Sequence, residues 1–205
     1  MLRRSRSDGP GSLRLVLSDL LRKGFGVLIA GGFSTALLSC SAGSGVAPGS
    51  SLPQVMVTSR EGAEIRLSDI TRGRPTVLNL WASWCDPCIA ELPALARLRD
   101  ALERDGIQVV GIGIQDDPAE LERVFRQAGA SFPLYFDKNG QVSTRLKVAG
   151  VPETFLIDSQ GKFLLFDDPG QGPTVRLMGP RDWDDPAFIR RVRMALAPRP
   201  ERSSP

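Results

Sequence analysis

Cys85 and Cys88 stand two residues apart in the stretch Trp81–Cys88, WASWCDPC. Two intervening residues at the start of a helix bring the Cα atoms within the roughly 4.4–6.8 Å that a disulfide requires. Unpaired N–H groups and the positive end of the helix dipole then face the first sulfur. This favours thiolate over thiol, and thiolate is the attacking species. The spacing therefore points to dithiol–disulfide exchange, with Cys85 as the exposed nucleophile and Cys88, one turn further in, as the resolving thiol. A zinc half-site is the competing chemistry. Zinc takes four ligands, however, and the chain offers only one other cysteine, Cys40, and no histidine. Without histidine, Ser-His-Asp and Cys-His catalysis are excluded too. No metal and no cofactor are expected.

A strand must deliver the pair and a helix must carry it. Thr76–Leu80, TVLNL, reads as a buried strand running straight into the motif. The following helix shows Leu92, Leu95, Leu98 and Leu102 on one face, with Pro93 inside it as an expected kink. Gln108–Ile114, QVVGIGI, is nearly continuous in apolar residues, as a strand covered on both faces should be. Asp117-Pro118-Ala119-Glu120 starts a helix, with Asp as N-cap and Glu expected to reach back to it. Short strands are expected at Gln54–Val57, Glu64–Leu67 and Leu134–Phe136, and a short helix at Val142–Leu146. Thr154–Ile157 and Lys162–Phe166 read as a hairpin about Ser159-Gln160-Gly161, and Asp185-Pro186 opens a last helix. This order predicts an α/β domain with a central mixed sheet flanked by helices, preceded by an N-terminal β-hairpin extension.

The chain ends carry a different message. Residues 1–39 hold six Lys/Arg and two Asp/Glu, and the remaining 20 basic and 21 acidic residues nearly cancel. The basic balance thus belongs to the leader and gives no reason to expect nucleic-acid binding. Within the leader, positive charge precedes the uncharged run Gly24–Ser39, the order of an export signal. The run closes on Leu37-Leu38-Ser39-Cys40, which resembles a bacterial lipobox and makes Cys40 the candidate lipidation site. An uncleaved signal anchor is the alternative. Residues 40–51, rich in Gly, Ser, Ala and Pro and uncharged, read as a flexible tether, 52–197 as the folded domain, and 198–205 as a disordered tail.

The segment LNLWASWCDPCIAELPAL resembles the TlpA/ResA/CcmG (DsbE-like) group of membrane-tethered thioredoxins, and GIQVVGIGIQDD and GVPETFLIDSQGK match it in the expected order. The resemblance spans about Leu52 to Leu196. It implies a thioredoxin-like fold and extracytoplasmic reduction of disulfides in proteins, often serving cytochrome c maturation. A membrane thiol donor would supply the electrons. It also implies that Val151-Pro152 is the cis-proline turn facing the cysteines, able to pair with substrate backbone. Trp84, Pro87, Val151 and Pro152 are then the substrate-binding residues. Asp86 and Glu153 are candidate proton carriers, and Asp86 should make Cys85 less acidic. Where ordinary thioredoxins carry a buried acid, six residues before the first cysteine, this chain has Asn79, which cannot exchange protons at neutral pH. Two other functions stay open on sequence: a disulfide-forming oxidase and a copper-binding chaperone on the same fold.

Overall fold

A computed structural model of the chain describes residues 46–197. Strand β3 (Thr76–Trp81) lies at its centre with all six residues buried. It pairs in parallel with β4 (Gln108–Gly113) and antiparallel with β6 (Glu153–Ile157). β5 (Leu134–Phe136) adds in parallel to β4. The hairpin β1 (Met56–Ser59) and β2 (Glu64–Arg66) joins β5 through β1, and β9 (Leu177–Met178) closes the opposite edge on β6. The seven strands thus run β2-β1-β5-β4-β3-β6-β9. This is the mixed sheet that the order of elements predicts, and the N-terminal hairpin is part of it.

Strand alternation divides the core into two faces. Val77 and Trp81 face helices α2 (Asp86–Leu102), α3 (Pro118–Gln127) and α5 (Pro186–Leu196), which bury Leu95, Phe125 and Val192 there. Leu78 and Leu80 face α1 (Leu67–Thr71) and α4 (Gln141–Leu146), which contribute Leu67, Val142 and Leu146. β3 and β4 are apolar on both sides for this reason. Gly111 and Gly113 in β4 serve close packing. A Cβ at Gly113 would collide with the methyl groups of Leu121, and one at Gly111 would stand 3.0 Å from Phe132 Cε2.

Several local expectations are corrected. Leu67 is not the end of β2. It opens α1, where its side chain is fully buried. Glu120 does not reach back to its N-cap. Asp117 accepts from the N–H groups of Ala119 and Glu120, but its own N–H is taken by Asp116 Oδ1, leaving Glu120 to pair with Arg123. The strand expected at Lys162–Phe166 shrinks to single bridges, Ile157 with Phe163 and Ser51 with Lys162. The chain then leaves β6 to form a separate hairpin, β7 (Phe166–Asp168) and β8 (Gly172–Thr174), and β9 takes the vacated edge. The segment 46–51, assigned to the tether by composition, lies against this turn. Gly49 N–H donates to Phe163 O, and Phe163 N–H to Ser50 O. Among the described residues no helix is long and apolar enough to cross a membrane.

Candidate active site

Cys85 is the N-cap of α2, with extended φ and ψ of −101° and 95°, and its sulfur accepts the N–H of Cys88 at 3.3 Å. Pro87 suits the first turn, where a missing N–H leaves no bond unmade. The two cysteines form a disulfide with Cα atoms 5.2 Å apart. Cys85 retains 5% exposure and Cys88 none, so only the first sulfur meets solvent. Asp86 and Pro87 are exposed on the same rim. The Val151–Pro152 peptide is cis, and Cys85 Sγ lies 3.6 Å from the Val151 carbonyl oxygen. Trp84 is 59% exposed beside the sulfur. Trp81 is fully buried in the core.

Beneath the dithiol lies a buried acid that sequence reasoning missed. Glu91 is three residues beyond Cys88 on α2, a spacing that puts the two on one helix face about 5–6 Å apart at Cβ. Its Oε1 accepts from Asn79 Nδ2 at 2.9 Å, and Asn79 Nδ2 also donates to Thr154 Oγ1. Its Oε2 accepts from Trp183 Nε1 at 2.9 Å and from the Arg181 N–H at 3.2 Å. Burial pushes the Glu91 carboxyl above its ordinary range, and these neutral donors only partly offset it. The Arg181 guanidinium is engaged elsewhere, with Asp168. Burial by itself would raise Asp168 as well. Arg181 and the N–H groups of Gln171 and Gly170 outweigh that burial and hold Asp168 below the usual range. One arginine therefore holds Asp168 low by direct pairing, while Glu91 receives its backbone N–H and a weaker pull from its charge, too little to offset burial. A cleft of about 530 Å³ runs beside α2, lined by Pro87, Glu91, Ala94, Arg97 and Pro180, although Glu91 itself keeps only 4% exposure.

Glu153 sits on the other face of the sheet. It pairs with Leu80 in the β3–β6 register, and its neighbour Thr154 turns towards Asn79. Its carboxylate forms an ion pair with Arg176, which also donates to the Leu146 carbonyl and lies 5.4 Å from the Phe155 ring centroid. Burial raises the Glu153 pKa despite this partner. Of the residues that the sequence singles out, the fold gathers Trp84, Cys85, Asp86, Pro87, Cys88, Val151 and Pro152 at one end of the sheet. Cys40 lies outside the described residues. Glu91 did carry a signal: it is an acid inside the Cys88–Leu92–Leu95 stripe, where an inward-facing helix should be apolar. Arg176, Arg181 and Trp183 come from the 164–184 stretch, whose pattern has no clear period.

A dithiol with only its first cysteine slightly exposed, at a helix N-terminus, on a mixed sheet and beside a cis-proline, defines a thioredoxin-fold protein of dithiol–disulfide exchange. The chain belongs to the AhpC/TSA family, whose profile matches residues 48–164, and is a thiol–disulfide oxidoreductase. It is 32% identical over 150 residues to the thiol-disulfide oxidoreductase ResA of Geobacillus thermodenitrificans, covering 73% of this chain and 82% of that one. Among solved structures it resembles a Chlorobium tepidum chain described as a thiol:disulfide interchange protein DsbE. The TM-score is 0.62 at 29% identity, over 74% of this chain and 99% of that one. A secreted disulfide oxidoreductase of Mycobacterium tuberculosis, at 22% identity, TM-score 0.54 and coverage of 68% and 94%, shares the fold.

Proposed function

We propose that this oxidoreductase works as a reductase of protein disulfides on the extracytoplasmic side of a bacterial membrane. The observation that carries the reading is the asymmetry of the pair: Cys85 keeps a small exposure beside exposed Trp84 and the Val151 carbonyl, whereas Cys88 is fully buried above Glu91. In the reduced enzyme the Cys85 thiolate attacks one sulfur of a substrate disulfide. A mixed disulfide forms, and the other substrate sulfur leaves as a thiolate that takes up a proton. Cys88 then loses its proton to Glu91 and attacks Cys85 Sγ. This closes the Cys85–Cys88 disulfide and releases the second substrate thiol. Two electrons pass from enzyme to substrate, and a thiol donor in the membrane must return them.

Asp86 tunes this cycle by opposing the thiolate on Cys85, which favours the reducing direction. Val151 and Pro152 offer backbone for pairing with the substrate chain, and Trp84 and Pro87 shape the rim. Glu153 is the second candidate proton carrier. Its charge is balanced by Arg176, and strand alternation turns it away from Thr154 and Asn79, so Glu91 takes the main role. Residues 1–39 act as the export signal, and the tether is confined to the residues before Val46, since 46–51 packs on the domain. Attachment runs through a lipid on Cys40 or through the leader itself, and cytochrome c maturation is the process served.

The test combines a reduction potential with partner trapping. The parent should reduce insulin and hold a reducing potential, and Cys88→Ser should accumulate mixed disulfides with envelope proteins. An oxidising potential with disulfide formation in reduced substrates would reverse the direction. Cys40→Ala should abolish labelling by a palmitate analogue, and retention of an unprocessed leader would favour the anchor.

A further inference from the structure

The loop that carries the dithiol is held from the side. β3 and β4 run in parallel, with Trp81 opposite Gly113, so the chain leaves both strands at one level. The β4–α3 loop, Ile114–Asp117, then bonds across to Ser83 and Trp84. Ser83 donates both its N–H (2.7 Å) and its Oγ–H (2.5 Å) to Asp116 Oδ2. Asp116 Oδ1 accepts the N–H of Asp117 at 2.8 Å. The Trp84 indole N–H donates to the Gln115 carbonyl at 3.3 Å. Gln115 has φ of +51°, in the left-handed region that a residue with a Cβ enters at a cost of about 1 kcal/mol or more.

Three donors thus converge on the Asp116 carboxylate, a demand only an acceptor-only group meets fully. An asparagine would set its NH₂ against the donors of Ser83 or of Asp117. The left-handed turn at Gln115 places its carbonyl against the indole while the next residue holds Ser83. The held group is Trp84, a large aromatic that stays 59% exposed next to the nucleophile. A rigid aromatic plate loses little freedom when a partner docks, which is how such residues anchor polypeptide interfaces.

We propose that Gln115 and Asp116 are positioning residues that fix Trp84 as a preformed docking plate, biasing the enzyme towards disulfides flanked by apolar or aromatic side chains in a polypeptide. This rests on the reading of the chain as a reductase of protein disulfides. Neither residue touches the reacting sulfurs; their effect passes through Trp84.

The experiment compares Asp116→Ala, Asp116→Asn, Trp84→Phe and the double variant Asp116→Ala/Trp84→Phe, using insulin and the non-aromatic hydroxyethyl disulfide as substrates. Loss of the clamp should raise KM for insulin about five- to tenfold in Asp116→Ala, with kcat and the rate on hydroxyethyl disulfide within about twofold of the parent. Asp116→Asn should fail to restore KM. Trp84→Phe, which keeps an aromatic ring but loses the bond to Gln115, should raise KM similarly, and the double variant should add little, since both act through one group. Trp81 and Trp183 are buried, so acrylamide quenches Trp84 selectively, and subtracting the Trp84→Phe signal isolates the anisotropy of Trp84; Asp116→Ala, measured against its double variant, should show faster indole motion. Equal loss on both substrates, fully multiplicative effects, or unchanged indole motion overturns the proposal. If the parent turns over hydroxyethyl disulfide but no protein substrate, the reductase reading fails instead, while the anisotropy still decides the clamp.

Discussion

Asn79 donates its amide N–H to Glu91 Oε1 at 2.9 Å, tying the strand that enters the dithiol to the helix that carries it. The other end of this amide, Oδ1, is buried without a hydrogen-bond partner among the described residues. An amide of this kind can rotate to donate to a carboxylate or to accept from a carboxylic acid. Asn79 therefore suits both protonation states of Glu91, and the site keeps its acid on α2 rather than on β3.

Glu91→Gln should be well tolerated, because a rotated Asn79 can accept from the new amide. The sign of its pH dependence follows from the raised pKa. Above the ordinary carboxylate value of 4.5, the unfolded chain gives up a proton that folded Glu91 retains, so this group's contribution to stability falls as pH rises towards its folded pKa. The stability of Glu91→Gln relative to the parent should therefore increase as pH rises above about 4.5 towards the raised folded pKa. Urea denaturation of both at several pH values measures it. Parallel curves would mean that Glu91 titrates as a surface acid does.

Labelling order tests the division of labour in the dithiol. In reduced protein at neutral pH, iodoacetamide should modify Cys85 well before Cys88, because only Cys85 combines exposure with the N-cap position. Resolution of the mixed disulfide should slow about a hundredfold in Glu91→Gln near neutral pH, the lower end for loss of a general base. Peptide mass spectrometry with Cys88 labelled first, or unchanged resolution, would reassign the roles.

Arg176→Met leaves the buried Glu153 without its cation. Breaking such a pair from one side costs about 3–5 kcal/mol, since an uncompensated charge stays buried. Adding Glu153→Gln should recover much of that loss. Glu153→Gln by itself should leave the apparent pKa of Cys85 little changed, given the pairing with Arg176. A thiolate absorbance titration checks the pKa, and a large fall in it would restore Glu153 as a proton carrier acting on the site.

Gly113→Ala should destabilise the fold by about 1–3 kcal/mol, the usual cost of overpacking a core. The new methyl meets the side chain of Leu121, which is fully buried and must shift to admit it. Exposed Gly150, where a Cβ would meet nothing within 4 Å, is the control and should tolerate alanine better. Thermal melts of the two variants decide the point.

The sequence by itself determined the site's chemistry and the core elements that present it. The Cys-x-x-Cys spacing, the apolar runs at β3 and β4 and the Asp-Pro helix starts are local signals, because each depends on backbone geometry within a few residues. The family motifs likewise pointed to Val151–Pro152 as the cis turn. Tertiary structure decided the rest. Glu91 became a buried acid only when Asn79, Thr154, Trp183 and Arg181, drawn from three separate segments, closed around it. Glu153 found Arg176 across 23 residues, and Asp168 found Arg181 through the β7–β8 hairpin, whose short strands have too little alternation to read. The strand expected at Lys162–Phe166 likewise yielded its edge to β9, a competition between segments that no local pattern expresses. Periodicity reports which face of an element is buried. It carries no record of which charge waits on the other side.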